Sequence, residues 1–325
     1  MFMPQVFTIG EALIDFIPLE KGVPLKQVNS FEKAPGGAPA NVACAVAKLG
    51  GKASFIGKLG EDAFGDFLVE TMRGAGVDVS YVFRTSEANT ALAFVSLTLD
   101  GNRDFSFYRN PSADLLLNDE EVAHVKFGVG DILHFCSVDL IEAPVKHAHR
   151  KAIRAVKENK GIVSFDPNVR LPLWGSSEDC RNTILEFLPK AHLIKISDEE
   201  LSFITGITDE VEAIASLFQG DVEHVIYTRG AQGAVWHTKT DHVLVQGHAV
   251  SALDTTGAGD AFIGALLYQL HIRNLSIYDI SCQEREEIIA FANIAAAITT
   301  TKQGAISALP SGGEVSEGLS KWTEG

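Results

Sequence analysis

Along most of the chain, short runs rich in Val, Ile and Phe, bounded by Gly, Pro and Asp, alternate with longer segments whose apolar positions recur at helical spacing. That alternation is the mark of strands feeding helices, and it predicts a three-layer α/β/α fold with a central, mostly parallel sheet. The strand-like runs are residues 6–9, 53–56, 132–135, 162–165, 193–196 and 225–228. Helical spacing covers 40–49, 64–75, 144–159, 179–187, 199–205 and 210–218, then two longer segments at 257–271 and 284–301. Two stretches break the pattern. Residues 90–99 and 103–109 alternate with period two about Asp100-Gly101-Asn102, a hairpin signal, and residues 13–31 are extended without a helical period. These pieces are expected to leave the main sheet and pair as a small β lid, although ordinary edge strands would show the same pattern. On that division residues 1–12, 40–86 and 112–325 form the main domain, and 13–39 with 87–111 form the lid. The polar tail after Pro310 is expected to be loosely ordered.

The strongest local signal for chemistry is Asp254-Thr255-Thr256-Gly257-Ala258-Gly259-Asp260, which follows a β-like segment and opens a helix. Small residues at a helix start leave unpaired N–H groups at the positive end of the helix dipole, a cradle for a phosphate. Asp260 falls at the rim of that cradle. A carboxylate there is unfavourable unless it has a task, and taking the proton of an attacking hydroxyl is the obvious one. The plainer reading is that Asp254 or Thr255 caps the helix and the glycines only make a tight turn. GxxxxGK[ST] is absent, and GAGDAF fails GxGxxG because Phe262 stands at the third glycine position. A second small-residue turn, Gly36-Gly37-Ala38-Pro39-Ala40-Asn41, leads into an Ala- and Val-rich helix, and Asn41 offers a donor and an acceptor to a hydroxyl-rich ligand. Asp15 lies just past the first strand among apolar residues, where it meets either a partner or a ligand.

Charge narrows the partners. The 325 residues carry 27 Lys and Arg against 42 Asp and Glu, a formal net charge of −15, which argues against nucleic acid or an anionic membrane surface. No apolar run approaches the roughly 20 residues needed to span a bilayer, and the first residues lack a basic-then-apolar export signal, so a cytoplasmic protein is expected. Cys44, Cys136, Cys180 and Cys282 sit in apolar segments without metal spacing and read as reduced core thiols. His147 and His149 point apart on a helix and read as a solvated face, and the acidic run at 284–287 reads as a charged helix start.

Taken in this order and at this distance, Gly36-Gly37-Ala38-Pro39-Ala40-Asn41 and Asp254-Thr255-Thr256-Gly257-Ala258-Gly259-Asp260 resemble the paired signatures of the ribokinase-like, phosphofructokinase-B type carbohydrate kinases. Phe107-Tyr108-Arg109-Asn110-Pro111-Ser112-Ala113-Asp114, Phe165-Asp166-Pro167-Asn168-Val169-Arg170 and Lys195-Ile196-Ser197-Asp198-Glu199-Glu200 bring the resemblance nearest to the fructokinases of that family. The resemblance implies a ribokinase-like fold and ATP-dependent transfer of a phosphoryl group to the 6-hydroxyl of D-fructose. Asp260 would be the base, the amides of Gly257, Ala258 and Gly259 the anion hole, and Arg170 a contact to the transferring group. Asp15, Gly36, Gly37, Asn41, Phe107, Arg109, Asp166 and Asn168 would line the sugar side. Lys195, Glu200, Thr228, Gly230 and Asn293 would serve the nucleotide, with Glu200 organising Mg2+ through water. Ser197 departs from the family, standing where Asn is usual. A potassium ion would sit among Asp254, Thr256, Thr299, Lys302 and Gly304, and the lid would pair two copies into a homodimer. A kinase for 2-keto-3-deoxygluconate is the alternative, with Arg109 and Arg170 clamping the substrate carboxylate. So is a catalytically silent sugar- or nucleotide-binding protein on the same fold.

Overall fold

In the computed structural model, which describes residues 4–20, 22–97 and 103–323, the apolar runs buried along nearly their whole length become the interior of one sheet. In chain order the strands are β1 (Val6–Ile9), β2 (Leu13–Pro18), β3 (Phe31–Gly36), β4 (Ala53–Gly60), β5 (Asp78–Thr85), β6 (Leu92–Leu97), β7 (Arg103–Tyr108), β8 (Ile132–Cys136), β9 (Ile162–Asp166), β10 (Leu193–Ser197), β11 (His224–Thr228), β12 (Ala234–His237) and β13 (His242–Val245). The helices are α1 (Ala38–Lys48), α2 (Ala63–Gly74), α3 (Asp119–Val122), α4 (Pro144–Glu158), α5 (Ser177–Phe187), α6 (Asp198–Thr205), α7 (Glu210–Ser216), α8 (Ala258–Arg273), α9 (Cys282–Thr300) and α10 (Gly312–Thr323). The main sheet has nine strands in the order β13-β12-β11-β10-β9-β8-β1-β4-β5, parallel except where β12 pairs antiparallel with β11 and β13. One face packs on α1, α2, α8 and α9, the other on α4, α5, α6 and α7.

Strand order reverses at β1, because the chain runs from β1 to β4 on one side and returns to β8 on the other. The carboxyl ends of β1 and β8 therefore splay apart, and in open α/β sheets this is where ligands bind. Above that point β3-β2-β6-β7 form a second, four-stranded sheet, with β2 and β6 parallel and the outer pairs antiparallel. Aromatic packing holds this lid together. Phe16 stacks on Phe94 at 4.7 Å between centroids and meets Phe64 of α2 edge-on at 5.8 Å. The β6–β7 turn expected at Asp100-Gly101-Asn102 lies outside the described residues.

Several expectations are corrected. The polar tail after Pro310 forms α10, which buries Val315 and sets Gly312 against the carbonyl of Leu49. His149 is in the core, its Nδ1 bonded to the carbonyl of Val145 at 2.8 Å and its ring against Phe135, and burial pulls its pKa down to about 4. Only His147 faces solvent. Cys282 is exposed, whereas Cys44, Cys136 and Cys180 are buried. The run at 284–287 is the charged start of α9, as expected, and within it the buried Arg285 pairs bidentately with Asp241 at 2.6 and 2.8 Å. Neither Asp254 nor Thr255 caps α8; Gly257 does, in the left-handed region at φ 75°. No helix among the described residues is long and apolar enough to cross a membrane.

One contact sets the spacing of α1 and α8. A Cβ built on Gly264 would lie 2.6 Å from the Cβ of Ala45, so the two helices touch through hydrogen at this point. Gly264→Val overpacks that crossing and is expected to destabilise the fold by about 1–3 kcal/mol. Urea unfolding of the two proteins checks this, and an unchanged midpoint would mean that the helices can separate freely.

Candidate active site

Asn41 and Ala45 are one turn apart on α1, as are Asp260 and Gly264 on α8, so the glycine contact carries the two polar residues into register. Asn41 Nδ2 donates to Asp260 Oδ2 at 2.8 Å with both side chains buried. Asn168, left-handed at φ 45° just past β9, brings its Nδ2 to 3.5 Å from Asp260 Oδ1. Its own N–H bonds to Asp166 Oδ1 at 3.2 Å, which fixes that turn. Burial raises the Asp260 pKa above the ordinary carboxylate value, and the Asn41 donor, Lys195 and Arg170 pull it back in part. The result is a carboxylate more basic than usual, with one oxygen held closely by Asn41 and the other only at 3.5 Å from Asn168, in the first turn of a helix.

A cation stands beside it. Lys195 Nζ, projecting from β10, makes an ion pair with Asp166 at 2.9 Å and lies 3.4 Å from where a Cβ on Gly259 would be. Burial alone would lower its pKa, but Asp166, Glu200 and Asp260 outweigh that and keep it protonated. Asp166 is pushed up to about 6 by burial despite Lys195. Glu200 is held below its usual range; burial works against this, but Lys195 and three N–H and O–H donors prevail. Its Oε1 accepts from the Val169 N–H at 2.8 Å, and its Oε2 accepts from the Ser197 N–H at 3.0 Å and hydroxyl at 2.9 Å. Both oxygens are thus committed to tying α6 to the loop that carries Asn168 and Arg170. Arg170 itself is exposed, with Nη1 on the carbonyl of Val169 at 2.9 Å.

The start of α8 presents a cation-flanked set of amides. Gly257 packs against Ala305, and the Ala258 N–H makes only a long 3.3 Å bond to the carbonyl of Thr255. Behind it Asp254 bridges two loops: Oδ1 accepts from the Thr256 N–H at 2.9 Å and hydroxyl at 2.6 Å, and Oδ2 from the Gly304 N–H at 2.9 Å. The side chains of Thr299 and Lys302 turn elsewhere, to the carbonyl of Ala295 and to Glu314. On the lid side Gly36 approaches Asp15 so closely that a Cβ would meet Oδ2 at 2.2 Å, Gly37 caps α1, and Phe107 packs on Leu13, Ala91 and Ala93. Thr228 and Gly230 sit at the end of β11. The Asn293 amide donates to the carbonyls of Val245 and Gln246 at 3.2 Å each.

Arg109 is already engaged within the protein through one nitrogen. Its Nη2 donates to both Asp114 and Asp139, deep beneath the lid. Those two acids and Glu11 are the residues that sequence reasoning passed over. Asp139 follows the apolar run of β8 as an unexplained acid, which was the available signal. Among the described residues no cluster of three or more His, Cys, Asp or Glu has the arrangement of a metal site.

Residues 3–312 match the model of the pfkB family carbohydrate kinases. The chain is 47% identical over 310 residues to a probable fructokinase-2 of Arabidopsis thaliana, covering 94% of this chain and 92% of the relative. A fructokinase from Xylella fastidiosa with bound ATP superposes with a TM-score of 0.88 at 35% identity, covering 99% of this chain and 100% of that one. A fructokinase from Vibrio cholerae O395 bound to fructose, ADP and calcium ion superposes with a TM-score of 0.87 at 36% identity, covering 98% and 99%. A double mutant of the same enzyme with fructose, ADP and potassium ion superposes equally well. The family match extends over nearly the whole chain and includes both glycine turns and the Asp260 helix, and so the chain belongs to the pfkB family of carbohydrate kinases.

Proposed function

We propose that this kinase transfers the γ-phosphoryl group of ATP to the 6-hydroxyl of D-fructose, with Asp260 as general base. The observation that carries the reading is the Asp260 carboxylate, held by Asn41 at the N-terminus of α8 beside the ammonium of Lys195. One carboxylate oxygen of Asp260 takes the proton of the sugar hydroxyl as its oxygen attacks phosphorus, and ADP departs with the electrons of the broken P–O bond. Charge then gathers on the transferred oxygens, where the amides of residues 257–259, Lys195 and Arg170 oppose it. Asp15, Gly36, Gly37 and Asn41 hold the sugar from the lid side, and closure of that sheet keeps water from taking the phosphoryl group.

Magnesium would supply positive charge to neutralise the nucleotide phosphates. Glu200 fits only an outer-sphere role, through water, because both of its oxygens already accept protein donors. For potassium the fit rests on hard oxygen donors, with Asp254 tying the Thr256 turn to the backbone of Gly304. Exposed Leu19 and Tyr108 on the lid support a homodimer formed through that sheet.

The environment of Arg109 favours a neutral sugar over 2-keto-3-deoxygluconate. Three carboxylates already surround this one guanidinium, so a substrate carboxylate would enter a site with surplus negative charge. ADP release assayed with fructose, 2-keto-3-deoxygluconate and ribose is expected to give the highest kcat/KM with fructose; a preference for the keto acid overturns this. Asp260→Asn is expected to lower kcat by about 10²–10⁴-fold, the usual share of a general base, and a variant as fast as the wild type would remove Asp260 from that role. Potassium is expected to raise kcat over sodium at equal ionic strength, and equal rates would refute the cation site.

Asp260 must be ionised to accept a proton, so kcat/KM falls as pH drops through its raised pKa. The Asn41 donor stabilises the anion. Asn41→Ala is therefore expected to shift the acid limb of the pH profile to higher pH, and a shift to lower pH would contradict the assigned hydrogen bond.

A further inference from the structure

Four segments of chain join the lid to the main sheet: β1 to β2, β3 to α1, β5 to β6, and β7 to the short 3-10 turn at Ala113–Leu116. Three of them meet in one buried cluster. Glu11 lies between β1 and β2, and its Oε1 accepts from the N–H of Ala38 at 3.0 Å, where β3 passes into α1. Arg109 follows β7 and donates through Nη2 to Asp114 of the 3-10 turn and to Asp139, which lies beyond β8 in the main sheet. Glu11 is close enough to Arg109 and Asp114 for all three charges to interact. None of the four side-bearing residues is more than 8% exposed.

The cluster is poorly suited to stability alone. One cation faces three carboxylates, and Glu11 Oε2, Asp114 Oδ1, Asp139 Oδ2 and the Nε and Nη1 of Arg109 have no hydrogen-bond partner in the protein. Buried orphans of this kind cost free energy, and a well-packed apolar replacement of a buried ion cluster is often as stable or more so. Burial also pushes Glu11 up to about 7 and Asp139 well above its usual range. What the cluster does provide is direction. Its bonds run from the lid strand β7 to the main sheet at Asp139, and from the end of β1 to the first amide of α1, the helix that carries Asn41.

We propose that Arg109 is a positioning residue that pins the lid: with Asp114, Asp139 and Glu11 it fixes the three crossing segments that hold Asp15 and residues 36–41 above Asp260. It acts through these acids and not by touching the sugar. The proposal rests on the site described under the proposed function and adds to it the part that sets its geometry.

Two variants test it, Arg109→Met and Asp139→Ala, each with its unfolding midpoint and ATP affinity measured as controls on folding. Hydrogen exchange of the ligand-free proteins is read at the amides of residues 13–17 and 36–41. Each variant is expected to lose at least about tenfold protection there and to lower kcat by about 10–100-fold, with KM for the sugar within about threefold, the pattern of misplaced reacting groups. Unchanged exchange and kcat in both variants would overturn the proposal. So would a rise in sugar KM alone in Arg109→Met, which would make Arg109 a substrate contact. Should Asp139→Ala fail to fold, Arg109→Met decides between the same two outcomes. The exchange comparison needs no substrate, so a wild-type enzyme inert toward fructose would refute the assigned sugar and leave the positioning result standing.

Discussion

The hydrogen bond from Asn41 to Asp260 is the constraint on which the catalytic end of this molecule depends. It can form only if α1 and α8 run close enough for two short side chains to meet, and that distance is set one turn along by Gly264 against Ala45. The rest of the helix layer serves the same spacing. Lys48, at the far end of α1, bonds the carbonyls of Ile306 and Leu309 at 2.8 and 3.3 Å, so the segment after α9 grips the helix whose other end carries Asn41. A backbone made of small residues is thus used as a ruler, and a polar pair reads it.

Electrostatics then reconcile a strongly acidic chain with the polyanionic nucleotide of the proposed reaction. The net charge of −15 is an average over the surface, whereas the site collects its positive potential from Lys195, Arg170 and the amides at the start of α8. Acids keep these cations in place. Asp166 pairs with Lys195 inside the cleft, and Glu200 spends both oxygens on the Ser197 and Val169 backbone, stiffening the loop that presents Arg170. Such acids raise the cost of an empty site and sharpen its response to a bound phosphate and metal.

Much of this was legible in the sequence, and the exceptions share a cause. Runs buried on both faces, such as 132–135 and 162–165, announce themselves as strands, and the two glycine turns announce helix starts because their chemistry is local. β5 and β12 were missed, the first because it is a half-exposed edge. α10 hid behind its polar face, with little beyond Val315 to betray a buried side. The helical wheel put His149 in water because it weighs polarity and ignores a partner one turn back, here the carbonyl of Val145. Arg109, expected at the sugar or at a substrate carboxylate, is paired with two acids of the protein itself. Its partners Asp114 and Asp139 come from the 3-10 turn and from the far end of β8, and only the topology brings them together.

Asn41 and Asp260 are separated by 219 positions along the chain. In chain terms that is a long-range contact, and closing its loop costs more conformational entropy than forming either glycine turn. A chain with either helix undocked lacks the anchored Asp260 carboxylate, even with its glycine-rich turn formed. On the proposed reading this geometry is therefore also a checkpoint: phosphoryl transfer would begin only in a chain whose α1 and α8 have both found their places.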